Sequence, residues 1–213
     1  MKRTIFLTFI LVFALSTSVA LGGDHNVKRV PAGAVAFHWV GNLTPDGELV
    51  GYIAFIEGVR GDLFNGTPGV GTAYFTVRLD SETFPGFPII LPSADPDVFA
   101  LLIPPGYTWG VYFNESPDPT RDWGDLDLFS DGERVATFEE SAFLGTTIFS
   151  TGMVYNLFSS RLIWSKSFRF NGQKVDFKKL VPNGVTINNV TSTNATAFTA
   201  SAVAIGGRGW RGR

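Results

Sequence analysis

Residues 72–80 read TAYFTVRLD, and their alternation decides the fold class. Successive side chains of an extended strand point to opposite faces. Ala73, Phe75, Val77 and Leu79 therefore share one face, expected to point inward, and Thr72, Tyr74, Thr76 and Arg78 share the other. A helix would scatter these positions around its axis, because its same-face spacing is three or four residues.

The same signal recurs on both sides of this stretch. Upstream, Val35, Phe37 and Trp39 alternate with Ala36, His38 and Val40, a period of two. Residues 42–47 (NLTPDG) carry turn chemistry. Residues 49–56 are more continuously apolar, as expected of a strand covered on both faces. A Gly-rich loop over 58–71 follows. Downstream, residues 85–96 (PGFPIILPSADP) hold too many prolines for a central ladder and are expected at an edge or in an irregular crossover. Residues 98–103 form a short apolar strand closed by Pro104-Pro105-Gly106. Trp109, Val111 and Phe113 then alternate into a long acidic loop, and residues 134–138 leave it.

Residues 146–158 read as one β-branched and aromatic strand with a bulge at Gly152. Asn171-Gly172, flanked by Phe168 and Phe170 before and Val175 and Phe177 after, is a strong hairpin signal. Residues 185–189 and 196–205 supply two last strands. About ten strands with Gly and Pro punctuation predict an all-β, antiparallel single domain over 34–207. A jelly-roll-like β-sandwich and a closed β-barrel fit this pattern equally.

The ends of the chain read differently. Met1-Lys2-Arg3 followed by an apolar run to Ser16 and by Ser18-Val19-Ala20 has the order of a secretory signal peptide, residues 1–20. The apolar run is short for a membrane span, which takes roughly 20 residues, and no transmembrane segment is expected in the mature chain. The protein is therefore expected to be secreted, periplasmic or at the cell surface. Residues 21–33 are expected to be a flexible leader, and 208–213 (RGWRGR) a basic tail. The chain has no Cys, which removes disulfides, thiolate nucleophiles and zinc–thiolate sites together.

Net charge is −2, so the basic field expected of a nucleic-acid binder is missing. The charges are segregated. Eleven acids between 95 and 140 face only Arg121 and Arg134, while six cations between 161 and 179 face only Asp176.

The acidic loop is the candidate site. Asp118, Asp122, Asp125, Asp127 and Asp131 lie close in sequence, flanked by Glu115 and Glu133. Hard cations take several oxygen ligands at short range, which makes Asp122, Asp125, Asp127 and Asp131 candidate Ca²⁺ ligands. The match to an EF-hand loop is loose, because Phe129 stands where the third ligand belongs and Gly132 comes two places late. Trp123 sits among these acids. Indole and carboxylates together suit a glycan, with Trp123 stacking and Asp118, Asp122, Asp125 and Asp127 taking hydroxyls. The competing reading makes Trp123 the loop's own hydrophobic anchor and the acids turn caps.

Catalytic signatures are missing. His25 falls in the leader and His38 on a strand, and no nucleophile or metalloprotease motif occurs. Glu139-Glu140 offers two carboxylates, but neighbouring strand residues point to opposite faces. Five Asn-X-Ser/Thr sequons begin at Asn42, Asn65, Asn114, Asn189 and Asn194. Residues 180–207 contain no charged side chain, and their last strand is expected to be paired within the domain or exchanged in a homo-oligomer. The resulting expectation is an exported, non-catalytic ligand-binding or surface-associated module with a glycan or cell-surface ligand. The alternatives are a self-associating extracellular structural protein and a jelly-roll glycan hydrolase or lyase.

Overall fold

The computed structural model describes residues 26–44, 48–83, 89–193, 195 and 197–207. The residues read as a signal peptide, the first part of the expected leader with His25, the expected basic tail and the Asn194 sequon lie outside the described residues. The fold is nearly all β. Its strands are β1 (Val35–Leu43), β2 (Leu49–Ile56), β3 (Phe75–Asp80), β4 (Ile89–Leu91), β5 (Val98–Ile103), β6 (Thr108–Phe113), β7 (Glu133–Ile148), β8 (Met153–Ser165), β9 (Phe168–Phe170), β10 (Gln173–Val175), β11 (Val185–Ser192) and β12 (Phe198–Ala204), with one short helix, α1 (Phe177–Leu180).

Eight strands close into an antiparallel barrel in the order β7-β6-β3-β2-β1-β12-β11-β8, and β8 returns to β7. Two features of β7 allow closure. It is long enough to bond β8 along one whole edge, from Ala136↔Ser165 to Ile148↔Met153. Its other edge is divided, with β6 on its first half and β5 on its second, where Val98↔Ile148 and Ile103↔Phe143 mark the ends. The β4–β5 hairpin therefore stands as a flap beyond one rim. β4 is the flap's outer strand, as the prolines around it require.

An eight-stranded barrel is just wide enough for side chains to fill its interior. Phe37 and Trp39 from β1, Ile53 from β2, Phe75 and Val77 from β3, Trp109 from β6 and Phe138 from β7 are all buried. Trp109 stacks flat on Phe138, with centroids 4.2 Å apart at 7°. Phe37 meets Trp109, Phe138 and Phe177 edge-on. Burial of each such ring contributes about 2–3 kcal/mol, so the alternation in 72–80 and its neighbours is the main source of the fold's stability.

One end of the barrel is plugged. Asn171 and Gly172, at φ 48° and 73°, make the tight turn between β9 and β10. Phe168 and Phe170 on this hairpin pack on Phe75 and Phe113. Phe177, expected to extend the hairpin's second strand, instead opens α1, because the Asp176 side chain accepts from the Lys178 backbone N–H and caps a helical turn. Residues 26–33, expected to be flexible, are tied to this plug. Val27 N–H donates to Lys174, Val30 N–H donates to Leu180, and both valines are buried.

A second correction concerns residues 146–158. They do not form one strand. β7 ends at Ile148, and a turn closed by Gly152 N–H donating to Phe149 at 3.2 Å reverses the chain into β8. Gly152 has φ 64°, a left-handed value suited to that turn. The last strand, β12, is bonded on one side to β1 and on the other to β11, so both its edges are used inside the barrel. No helix among the described residues is long and apolar enough to cross a membrane.

Candidate functional site

The acidic loop, residues 114–132, leaves the plugged end and folds back over the outer wall of the barrel. Its organising residue is Arg121, which the charge count names only as one of two cations among the acids. The Arg121 side chain has no exposure. Its Nε donates to Leu128, its Nη1 to Val70 and Ala73, and its Nη2 to both oxygens of Asp131 at 3.1 and 3.3 Å. A buried guanidinium is tolerated because its donors are satisfied. Phe129 is fully buried beneath the loop, and its carbonyl accepts from the Thr76 hydroxyl at 2.7 Å.

The aspartates are spread over separate local tasks. Asp118 accepts from the Thr120 hydroxyl and N–H, which hold its carboxyl below the ordinary value. Asp122 accepts from Gly124 N–H, and Asp125 caps the turn at Asp127. Asp127 pairs with Arg78 at 2.8 Å, and Asp131 with Arg121. No group of three or more His, Asp or Glu side chains among the described residues is placed to share a cation. Trp123 stacks on Phe129 (5.5 Å, 20°) and on Tyr52 of β2 (6.1 Å, 29°), holding the loop to the wall.

The unplugged end of the barrel holds a cavity of about 310 Å³, at the lower end of the range for small-molecule sites. Leu49, Ile103, Tyr107, Phe143, Phe158 and Phe198 give it an apolar wall, and Asn42, Asn156, Asn189 and Thr191 add uncharged polar groups. Among the described residues no charged side chain lines it. On β1 the Phe198 ring of the cavity wall lies directly against Gly41. A Cβ at Gly41 would come within 2.6 Å of that ring. The flap supplies Ile103 on one side of the rim.

Several polar groups inside this end lack partners. Asn189, on the inward face of β11 and 8% exposed, lines the cavity with an unpartnered Oδ1. Trp39 Nε1 is also unpartnered. Glu140 lies inward on β7, between Phe138 of the core and Phe143 of the cavity wall. It is 1% exposed, and neither carboxyl oxygen has a partner. Burial pushes its pKa up to about 7. Its backbone is bonded to that of Tyr107, Glu140 N–H donating to Tyr107 at 2.8 Å. Burial and the Glu140 charge together raise the Tyr107 phenol. Glu139, one residue earlier, points to the outer wall and pairs with Arg161 at 2.7 Å. The two adjacent carboxylates therefore do not act together.

The other sequence candidates fall into structural places. His38 faces outward, hydrogen-bonded through Nδ1 to Ser201 at 3.0 Å and tilted on Phe55. Of the sequon asparagines, Asn42 and Asn189 lie at the cavity, and Asn189 is buried within the barrel. A larger groove of about 470 Å³ on the outer wall includes Arg78, Asp80, Tyr112 and Arg134. Arg134 there bonds Asp80 at 2.5 and 3.0 Å and also Tyr112, and Arg78 pairs with Asp127. The mouth cavity, whose wall carries the buried and unpartnered Asn189 Oδ1, is the stronger candidate site. Comparison with protein-family models, with curated proteins and with solved structures gave no match.

Proposed function

We propose that the protein is an exported, non-catalytic binding protein that takes a small, mostly apolar molecule into the open mouth of its barrel. The observation that carries this reading is an apolar, uncharged cavity with an unpartnered, buried Asn189 oxygen on its wall. A buried acceptor without a donor costs about 1–3 kcal/mol, and a ligand hydroxyl or N–H in the cavity would recover that cost. The apolar run and small-residue pattern within residues 1–20 support export.

In this reading the acidic loop is a brace. Its aspartates cap turns and pair with Arg78 and Arg121, and Trp123 is the anchor. A thermal-shift screen of small apolar molecules tests the function. Binders should raise the melting temperature of the native chain and have no effect on Ala197→Trp, which fills the cavity from its wall. Equal shifts in both proteins, or none in the native chain across a broad panel, would remove the mouth as the binding site.

A further inference from the structure

We propose that the molecule taken into the mouth carries a cationic amine at its inner end, selected by the Glu140 carboxylate with Asn189 accepting one of its N–H groups. This inference rests on the mouth being a binding site. Among the described residues, the fully buried acceptors without a partner at this end are Glu140 Oε1, Glu140 Oε2 and Asn189 Oδ1, and the fully buried donor without one is Trp39 Nε1. A ligand rich in donors completes that set, and one rich in acceptors does not.

Charge gives the same answer. Glu140 has no cation facing it among the described residues. Its neighbours from the packed elements are the Tyr107 phenol, Ser160 opposite it on β8, and the Phe138 and Phe143 rings on its own strand. The Ser160 hydroxyl already accepts from Trp109 Nε1 at 3.0 Å. Arg161 is turned outward to Glu139, and Arg121 is held by Asp131 beneath the loop. Glu140 is not itself part of the cavity wall, but it is buried and backbone-bonded to Tyr107, which is. At an effective dielectric of about 20, an unpaired charge within several ångströms of an opposite ion changes its affinity by about tenfold or more.

The test is calorimetric titration of the full-length chain with 2-phenylethylamine, 2-phenylethanol and phenylacetate at about pH 8. The amine should bind about tenfold or more tightly than the alcohol, and phenylacetate weakest. Glu140→Gln should bring the amine to the alcohol's level in the same variant. Lowering the pH to about 5.5 should do the same in the native chain, because Glu140 then takes a proton; this arm needs no variant. Equal binding of amine and alcohol at pH 8 would overturn the amine while leaving the mouth as a site. Failure of all three to bind would overturn both.

Discussion

Replacing Glu140 with Gln should change the pH dependence of folding in a defined window. The carboxyl has an ordinary pKa of 4.5 and is held at about 7 in the fold because burial penalises its charge. Between these values the folded chain keeps the proton and the unfolded chain has released it. Stability changes with pH in proportion to protons bound in the unfolded state minus those bound in the folded state. That difference is negative here, so this group's contribution falls as pH rises from 4.5 to 7 and is level above 7. Charging Glu140 inside the barrel thus costs the native protein about 3 kcal/mol at pH 8 relative to pH 4. Urea unfolding, followed by Trp fluorescence at half-unit steps from about pH 4 to 8.5, reads this directly. The difference between native and Glu140→Gln stabilities should widen by that amount across the window. All other titrating groups cancel in it, and any fixed cost of the Gln amide appears as a constant offset. Parallel curves, within about 0.5 kcal/mol, would refute the placement of an ionisable, unpaired Glu140 in the interior.

Four further outcomes follow from named contacts. Arg121→Met should destabilise the chain by about 3–5 kcal/mol in urea, because it strips Asp131 and the carbonyls of Leu128, Val70 and Ala73 of their donor. Trp123→Ala should cost about 1–3 kcal/mol and leave binding at the mouth unchanged in titration, since its ring is committed to Phe129 and Tyr52. Millimolar calcium and a chelator should give the same melting temperature; a rise with calcium would restore Asp122, Asp125, Asp127 and Asp131 as cation ligands. Gly41→Val should displace the Phe198 ring and weaken ligand binding about tenfold or more, measured by titration, with a stability loss of about 1–3 kcal/mol.

The strands were legible because alternation is a local property. Phe75, Val77 and Leu79 line the interior as their spacing in TAYFTVRLD requires, and Asn171-Gly172 turns the plug hairpin as its composition requires. The turn at 149–152 was missed because Phe-Ser-Thr-Gly lacks a paired turn dipeptide, and a lone Gly in a β-branched run reads equally as a bulge. Ring closure was out of reach, since it depends on β7 bonding β6, β5 and β8 at separations no short window reports.

The loop and the cavity show opposite biases. Aspartates at 118–131 stand out in a sequence because they are charged, yet each is occupied by a neighbour a few residues away or by an arginine on or beneath the loop. The mouth is built from Phe, Asn, Thr and Leu, which have no chemical signature until eight strands bring them together. Two signals were available. Glu140 follows Phe138 at an inward strand spacing, and Asn189 follows Val185 and Ile187 at the same spacing. A charged or amide side chain continuing an apolar face marks a polar group carried into a core.

The most direct measurement is a backbone and side-chain amide NMR titration of the uniformly ¹⁵N-labelled chain with 2-phenylethylamine. Saturable shifts should appear at Asn189, Tyr107, Phe143, Phe158 and Phe198, with the Asn189 side-chain amide among the largest, and none beyond noise at Trp123 or the aspartates of the outer loop. Shifts centred on residues 114–132, or no saturable shifts at the mouth, would contradict a ligand site inside the barrel.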